Sequence, residues 1–225
     1  FARDYHMTGE IAATRDGRIT GLKCHVLADH GAFDACADPT KFPAGFFNIC
    51  TGSYDIPVAH LVVDGVYTNK APGGVAYRCS FRVTEASYFI ERMVDVLARK
   101  LEMDPAELRR KNFIDKAQFP YTSALGWEYD SGDYHTVLEK LQETAAWQEL
   151  IAKRDALRAE GKLAGLGLST CLEPSGGNSS FEPFLNPGRQ DPPDRVPRGR
   201  IFSKNNEDIE NWRVHSEHVQ FAASC

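Results

Sequence analysis

The stretch "VTEASYFIERMVDVLARKLEMDPAELRRKNFI", residues 83–114, decides the fold. Its apolar residues Val83, Ala86, Ile90, Met93, Val94, Leu97 and Leu101 fall at three- and four-residue spacings, so one face of a long helix over Val83–Leu101 is buried. Arg99 and Lys100 sit in its last turn, where positive charge opposes the helix dipole. Asp104-Pro105-Ala106-Glu107 then supplies an N-cap, a first-position proline and an early acid. These predict a second, short helix through about Asn112.

Working outward, residues 8–27 read as a β-hairpin, because Asp16-Gly17 is a strong turn dipeptide between two strand-like runs. Residues 28–57 are rich in Gly, Pro, Asp and aromatics and read as an ordered loop region with short strands. "VAHLVVDGVYTN" (58–69) reads as a strand. Downstream, "FPYTSALGWEYDSGDY" (119–134) is a turn-rich connector. Tyr134 to Glu160 predicts a second long helix with Val137, Leu138, Leu141, Ala145, Leu150 and Ile151 inward and Gly161 as its stop. The charged face of that helix reads as solvated surface. "AGLGLSTCL" (164–172) is strand-like, and "NPGRQDPPDRVPRGR" (186–200) reads as loop or linker. Strands alternating with long helices give an α+β or α/β domain.

Acids and bases are mixed along the chain, and the net charge of −5 carries no basic footprint for nucleic acid. No apolar run reaches the length of a transmembrane helix. The start, "FARDYHMTGE", has neither an initiator Met nor signal-peptide architecture and reads as the middle of a longer chain. The six cysteines are scattered without a CxxC pair, so they indicate neither a zinc finger nor a disulfide framework, and reduced cytosolic thiols are expected.

One cysteine stands apart. "APGGVAYRCSFR" (71–82) places Cys79 next to Arg78, three residues before Arg82, and just ahead of the helix that opens near Val83. Positive neighbours and a helix N-terminus both depress a thiol pKa, and a thiolate is a nucleophile and a soft ligand suited to Cu(I). Gly73 and Gly74 permit close backbone approach in the same loop. The blander alternative is a core-filling cysteine, the commoner fate of a lone thiol. On the residues alone both stay open, because one thiolate does not specify a metal. Three other groupings read as ordinary structure. His215 and His218 have no evident third ligand. Asp29, His30, Asp34 and Asp38 fit turn hydrogen bonding, and "SGGNSS" (175–180) lacks the lysine of a phosphate-binding loop.

"GGVAYRCSFR" followed by residues 83–114 closely resembles the molybdenum-containing large subunits of aerobic carbon monoxide dehydrogenases, in the xanthine dehydrogenase/aldehyde oxidase superfamily. "ADHGAFDACADP", "NICTGSYDIPVAHLVVDGVYTNKA" and "FPYTSALGWEYDSGDY" carry the same resemblance. It implies an α+β fold: part of a molybdopterin-binding domain, with twisted strands and a hairpin packed against two long helices. It implies two regions, residues 1–185 from the large-subunit domain and 186–225 as a divergent or poorly ordered tail. It also implies oxidation of carbon monoxide with water to carbon dioxide at a copper–molybdenum centre. Cys79 would bind copper, and Arg78 and Phe81 would shape the catalytic pocket. Gly73, Gly74, Tyr77 and Ser80 would lie at the cofactor. The implied cofactors are molybdenum on molybdopterin cytosine dinucleotide and Cu(I). Iron–sulfur clusters and FAD would sit on a small and a medium partner subunit in a dimer of heterotrimers. The implied location is cytoplasmic, with association at the inner face of the cell membrane compatible with it.

The family's glutamate base near molybdenum lies outside these residues, so this segment alone is expected to be inactive. From about residue 185 the resemblance ends, without the Gly- and Gln-rich "GQGH"-type segment expected there. Two alternatives therefore stand beside the leading one: a sister molybdenum hydroxylase acting on aldehydes or heterocycles, and a truncated, non-catalytic remnant. The "AYRCSFR" loop argues against the first, since such relatives typically carry an "AYRGAG"-like loop.

Overall fold

In the computed structural model, the structure describes residues 4–32, 49–70, 83–172, 200–203 and 218–224. Two long strands, β1 (Tyr5–Thr14) and β2 (Ile19–Gly31), form the expected antiparallel hairpin. The turn closes through the Thr14 N–H donating to the Arg18 carbonyl at 2.8 Å, and Gly17 takes φ +92° there. That is left-handed backbone, which glycine tolerates without a Cβ clash. β3 (Val58–Tyr67) then pairs with β2 in parallel, Leu22 opposite Ala59 and Val26 opposite Val63. Two further strands extend the sheet: β6 (Arg200–Ser203) against β3 and β7 (His218–Ser224) against β1, both antiparallel. The sheet order is β6-β3-β2-β1-β7.

Alternation along β2 buries Leu22, Cys24, Val26 and Ala28 on one face. Helix α1 (Val83–Lys100) covers that face with Ala86, Phe89, Ile90, Met93, Val94, Leu97 and Ala98, all buried. The approach is close because β1 offers Gly9. A Cβ at that position would sit 2.5 Å from the Phe89 ring. Helix α2 (Pro105–Asn112) follows as its cap predicts, with Asp104 accepting from the amides of Ala106 and Glu107 at 2.8 and 3.0 Å. Its last residue, Asn112, ties α2 to the hairpin turn. The Asn112 amide donates to the carbonyls of Gly17 and Leu108, and its Oδ1 accepts from the Ile19 N–H, each at 2.8 Å.

The α+β class stands, and three local expectations are corrected. The connector after α2 contains a small hairpin, β4 (Tyr121–Thr122) with β5 (Glu128–Tyr129), turning at Gly126 with φ +81°. The second long helix is divided into α3 (Tyr134–Thr144) and α4 (Trp147–Ala159). Ala146 takes φ +48° between them, which breaks the hydrogen-bond ladder and redirects the apolar stripe. Of the six residues expected inward, Leu138 alone is buried; Val137, Leu141 and Leu150 are exposed and Ala145 and Ile151 half-buried. Gly161 does terminate α4, at φ +77°. Third, residues 164–172 form no strand ladder among the described residues, because their polar groups bond to side chains of α1 and α2 instead.

Candidate functional site

The loop singled out by sequence, with Gly73, Gly74, Tyr77, Arg78, Cys79, Ser80 and Phe81, lies outside the described residues, as do Asp34, Asp38, His215 and residues 175–180. Its two anchors are described. Lys70 precedes it, three residues past the end of β3, and Val83 follows it as the first residue of α1.

The entry anchor is organised by Asp29 near the end of β2, a residue only 9% exposed. One of its carboxylate oxygens accepts from the Thr68 hydroxyl at 2.7 Å and the Gly31 N–H at 2.8 Å; the other pairs with the Lys70 ammonium at 3.1 Å. Lys70 also pairs with Asp4, whose carbonyl accepts from the Asp29 N–H at 3.0 Å. Backbone bonds run alongside: the Thr68 N–H donates to the Gly31 carbonyl at 2.9 Å and the Ala32 N–H to the Lys70 carbonyl at 3.0 Å. Burial would raise the Asp29 pKa, but donors from Thr68, the Gly31 amide and Lys70 outweigh it and hold the carboxyl below its ordinary value. Asp29 thus makes the turn hydrogen bonds that its place in "ADHGAFDACADP" suggests. Among the described residues no group of three His, Cys, Asp or Glu side chains is arranged to hold a metal.

The exit anchor is the body of α1, fixed by a buried polar network that the sequence reading missed. Arg109 of α2 is fully buried. Its Nε and Nη2 both donate to one Glu91 oxygen, at 3.0 and 2.8 Å, while Nη2 also reaches Asp95 at 3.0 Å and the Leu168 carbonyl at 2.9 Å. The other Glu91 oxygen accepts from the Tyr54 hydroxyl at 2.6 Å and the Thr170 hydroxyl at 3.1 Å, while the Thr170 N–H donates to the Arg109-bound oxygen at 3.0 Å. Burial, reinforced by the Glu91 charge, pushes the Tyr54 pKa well up, so its hydroxyl remains a donor. The network joins four segments distant in sequence: the turn around Tyr54, α1, α2 and residues 168–170. The only sequence signal was a Glu and an Arg standing on otherwise apolar-facing positions of adjacent helices, which a polarity pattern assigns to solvent.

A separate groove of about 720 Å³ opens on the outer face of the sheet, lined by Lys23, His25, His60 and Asp64 with Leu27, Val62 and Val66. His25 and Asp64 pair there at 2.8 Å, both about half exposed. No residue of α1 lines this groove.

The family model for the molybdopterin cofactor-binding domain matches residues 1–113. The chain is 66% identical to the carbon monoxide dehydrogenase large chain of Hydrogenophaga pseudoflava over 183 residues, 80% of this chain and 23% of that protein. It is 61% identical to the large chain of the same name from Afipia carboxidovorans, over 80% of this chain and 23% of that one. Among solved structures, a Cu,Mo-CO dehydrogenase in its carbon monoxide reduced state matches with a TM-score of 0.67 and 65% identity, over 72% of this chain and 21% of that chain. The chain therefore spans less than a quarter of the length of these relatives.

Proposed function

This chain belongs to the molybdopterin cofactor-binding domain family, and from that premise we propose that it is the part of a carbon monoxide dehydrogenase large chain that carries the copper-binding loop. The observation that carries the reading is the identity of 61–66% to two carbon monoxide dehydrogenase large chains over four-fifths of this chain. The whole protein would convert carbon monoxide and water to carbon dioxide, two protons and two electrons. The electrons would pass to an iron–sulfur small subunit and then to an FAD-bearing medium subunit, in a cytoplasmic dimer of heterotrimers.

The residues present fit the group in their donor chemistry. Cys79 is a soft donor four residues ahead of Val83, where α1 begins, with Arg78 and Arg82 beside it in sequence. Helix N-terminus and arginine charge both favour the thiolate that Cu(I) prefers. When bound, the copper and the molybdenum on molybdopterin cytosine dinucleotide supply carbon monoxide binding and two-electron oxidation. Cys79 would hold the copper, Arg78 would add positive charge beside it, and Tyr77, Ser80 and Phe81 would wall the pocket. Gly73 and Gly74 would let the backbone lie close to the cofactor.

The test is Cys79→Ser in the full-length large chain with its partner subunits. We expect copper and carbon monoxide oxidation to be lost while molybdenum content and the unfolding midpoint are kept. Copper and activity that survive the substitution remove the role given to Cys79. Aldehyde turnover by a copper-free wild type replaces the reading with a sister hydroxylase.

A further inference from the structure

We propose that residues 163–172 are an edge strand whose free edge is occupied by a β-strand from the part of the same large chain that lies outside these 225 residues. The inference rests on the reading of this chain as one piece of a longer large chain, and it adds an interface to that reading.

Residues 162–172 run without a helix, turn or bend. Burial alternates along them. Every even-numbered side chain from Ala164 to Leu172 is at least half-buried, and every odd-numbered one from Leu163 to Cys171 is exposed. A period of two marks extended β backbone with one face on the core. The hydrogen bonds alternate independently. In a strand, the N–H and C=O of one residue point to one edge and those of the next residue to the other. From Leu163 onward, every backbone hydrogen bond falls on an even-numbered residue. The Ala164 carbonyl accepts from Arg158 Nε at 2.8 Å and the Leu168 carbonyl from Arg109 Nη2 at 2.9 Å, while the Thr170 N–H donates to Glu91 at 3.0 Å. The Ser53 hydroxyl adds a long contact to the Thr170 carbonyl at 3.5 Å. Side chains therefore stand in for a neighbouring strand along that edge. On the other edge, the backbone of Gly165, Gly167, Ser169 and Cys171 makes no hydrogen bond among the described residues.

The composition of the segment says what fits the odd edge. "LAGLGLSTCL" (163–172) holds no charge and no proline, so it lacks the devices by which natural proteins protect an edge left open to solvent. The Leu163 side chain stands fully exposed at its start. Such an edge calls for a permanent partner, and an added strand satisfies it through main-chain hydrogen bonds. The chain spans less than a quarter of the large chains it matches. A large chain of that length carries most of its polypeptide outside these residues, on the same molecule. Pairing within one chain costs only loop closure, which grows slowly with loop length.

The experiment uses the full-length large chain in its complex. The first readout is hydrogen–deuterium exchange, followed at single amides by mass spectrometry with electron-transfer fragmentation. The amides of Gly165, Gly167, Ser169 and Cys171 are expected to exchange about a hundredfold or more slower than their unstructured rates. Leu166 and Leu168, whose N–H groups point to the other edge and bond to nothing there, should exchange faster than these four. Fast exchange at the four odd positions means an open edge and overturns the inference. Equal protection at odd and even positions reports burial without strand pairing and overturns it too. The second readout identifies the occupant. Leu163→p-benzoylphenylalanine, irradiated in the complex, should cross-link to a large-chain peptide outside these 225 residues. Cross-links confined to the small or medium subunit or to these residues themselves, or no cross-link at all, overturn the assignment to the same chain. Both readouts are taken without copper or turnover, so a protein that fails as a carbon monoxide dehydrogenase still decides the edge.

Discussion

Helices α1 and α4 show how differently similar patterns can end. α1 runs for 18 residues and buries seven apolar side chains against the sheet, with Glu91 and Arg109 bridging it to α2. α4 runs for 13 residues, buries none fully, and starts at Ala146 without a side-chain cap. Both carry leucines and isoleucines at helical spacing. The difference is what each faces: α1 meets a continuous apolar sheet face, opened for it by Gly9, whereas α4 is reached through a left-handed residue that turns its stripe away from the core. A helix-period pattern states that a face exists, and the partner for that face is a tertiary fact.

The comparison is broken most severely at Arg109. Arg109→Met would leave Glu91 buried without its cation, and removing one partner of a buried pair costs about 3–5 kcal/mol. Urea unfolding of the full-length large chain should show a loss of that order, and a loss below about 1 kcal/mol would mean that water or another donor replaces the guanidinium. Next comes the close approach of β1 and α1. Gly9→Ala places a methyl in the Phe89 ring, and overpacking of this kind costs about 1–3 kcal/mol. A neutral result would show that the Phe89 ring can swing aside. Smaller effects, one of opposite sign, belong to the other helix. Ala146→Gly removes the penalty of a Cβ in left-handed backbone and should stabilise by about 1 kcal/mol. Leu150→Ala, at a side chain already 37% exposed, should stay within about 0.5 kcal/mol in the isolated large chain. A markedly larger loss in the assembled complex than in the isolated chain would locate a partner surface on α4.

Where contacts are local, the residues themselves announced the structure. Asp16-Gly17 specified the hairpin turn, Asp104-Pro105 specified the start of α2, and residues 83–101 specified a helix with one buried face, because each depends on neighbours within one or two turns. Chemical character was legible in the same way: "AYRCSFR" marked Cys79 as a candidate thiolate and carried the family resemblance, which the match to the molybdopterin cofactor-binding domain bears out at family level. Parallel pairing of β2 with β3, the bond from Arg109 to Glu91 and the Asp29 contacts were not legible. Each joins groups 18 to about 40 residues apart, and nothing in an isolated Asp, Glu or Arg states whether its partner is water or a distant donor. The sequence by itself therefore determined the locally specified elements and marked Cys79 as a candidate thiolate. Tertiary structure alone decided how Arg109, Glu91 and Asp29 are partnered, since burial makes such charges costly to leave unpaired.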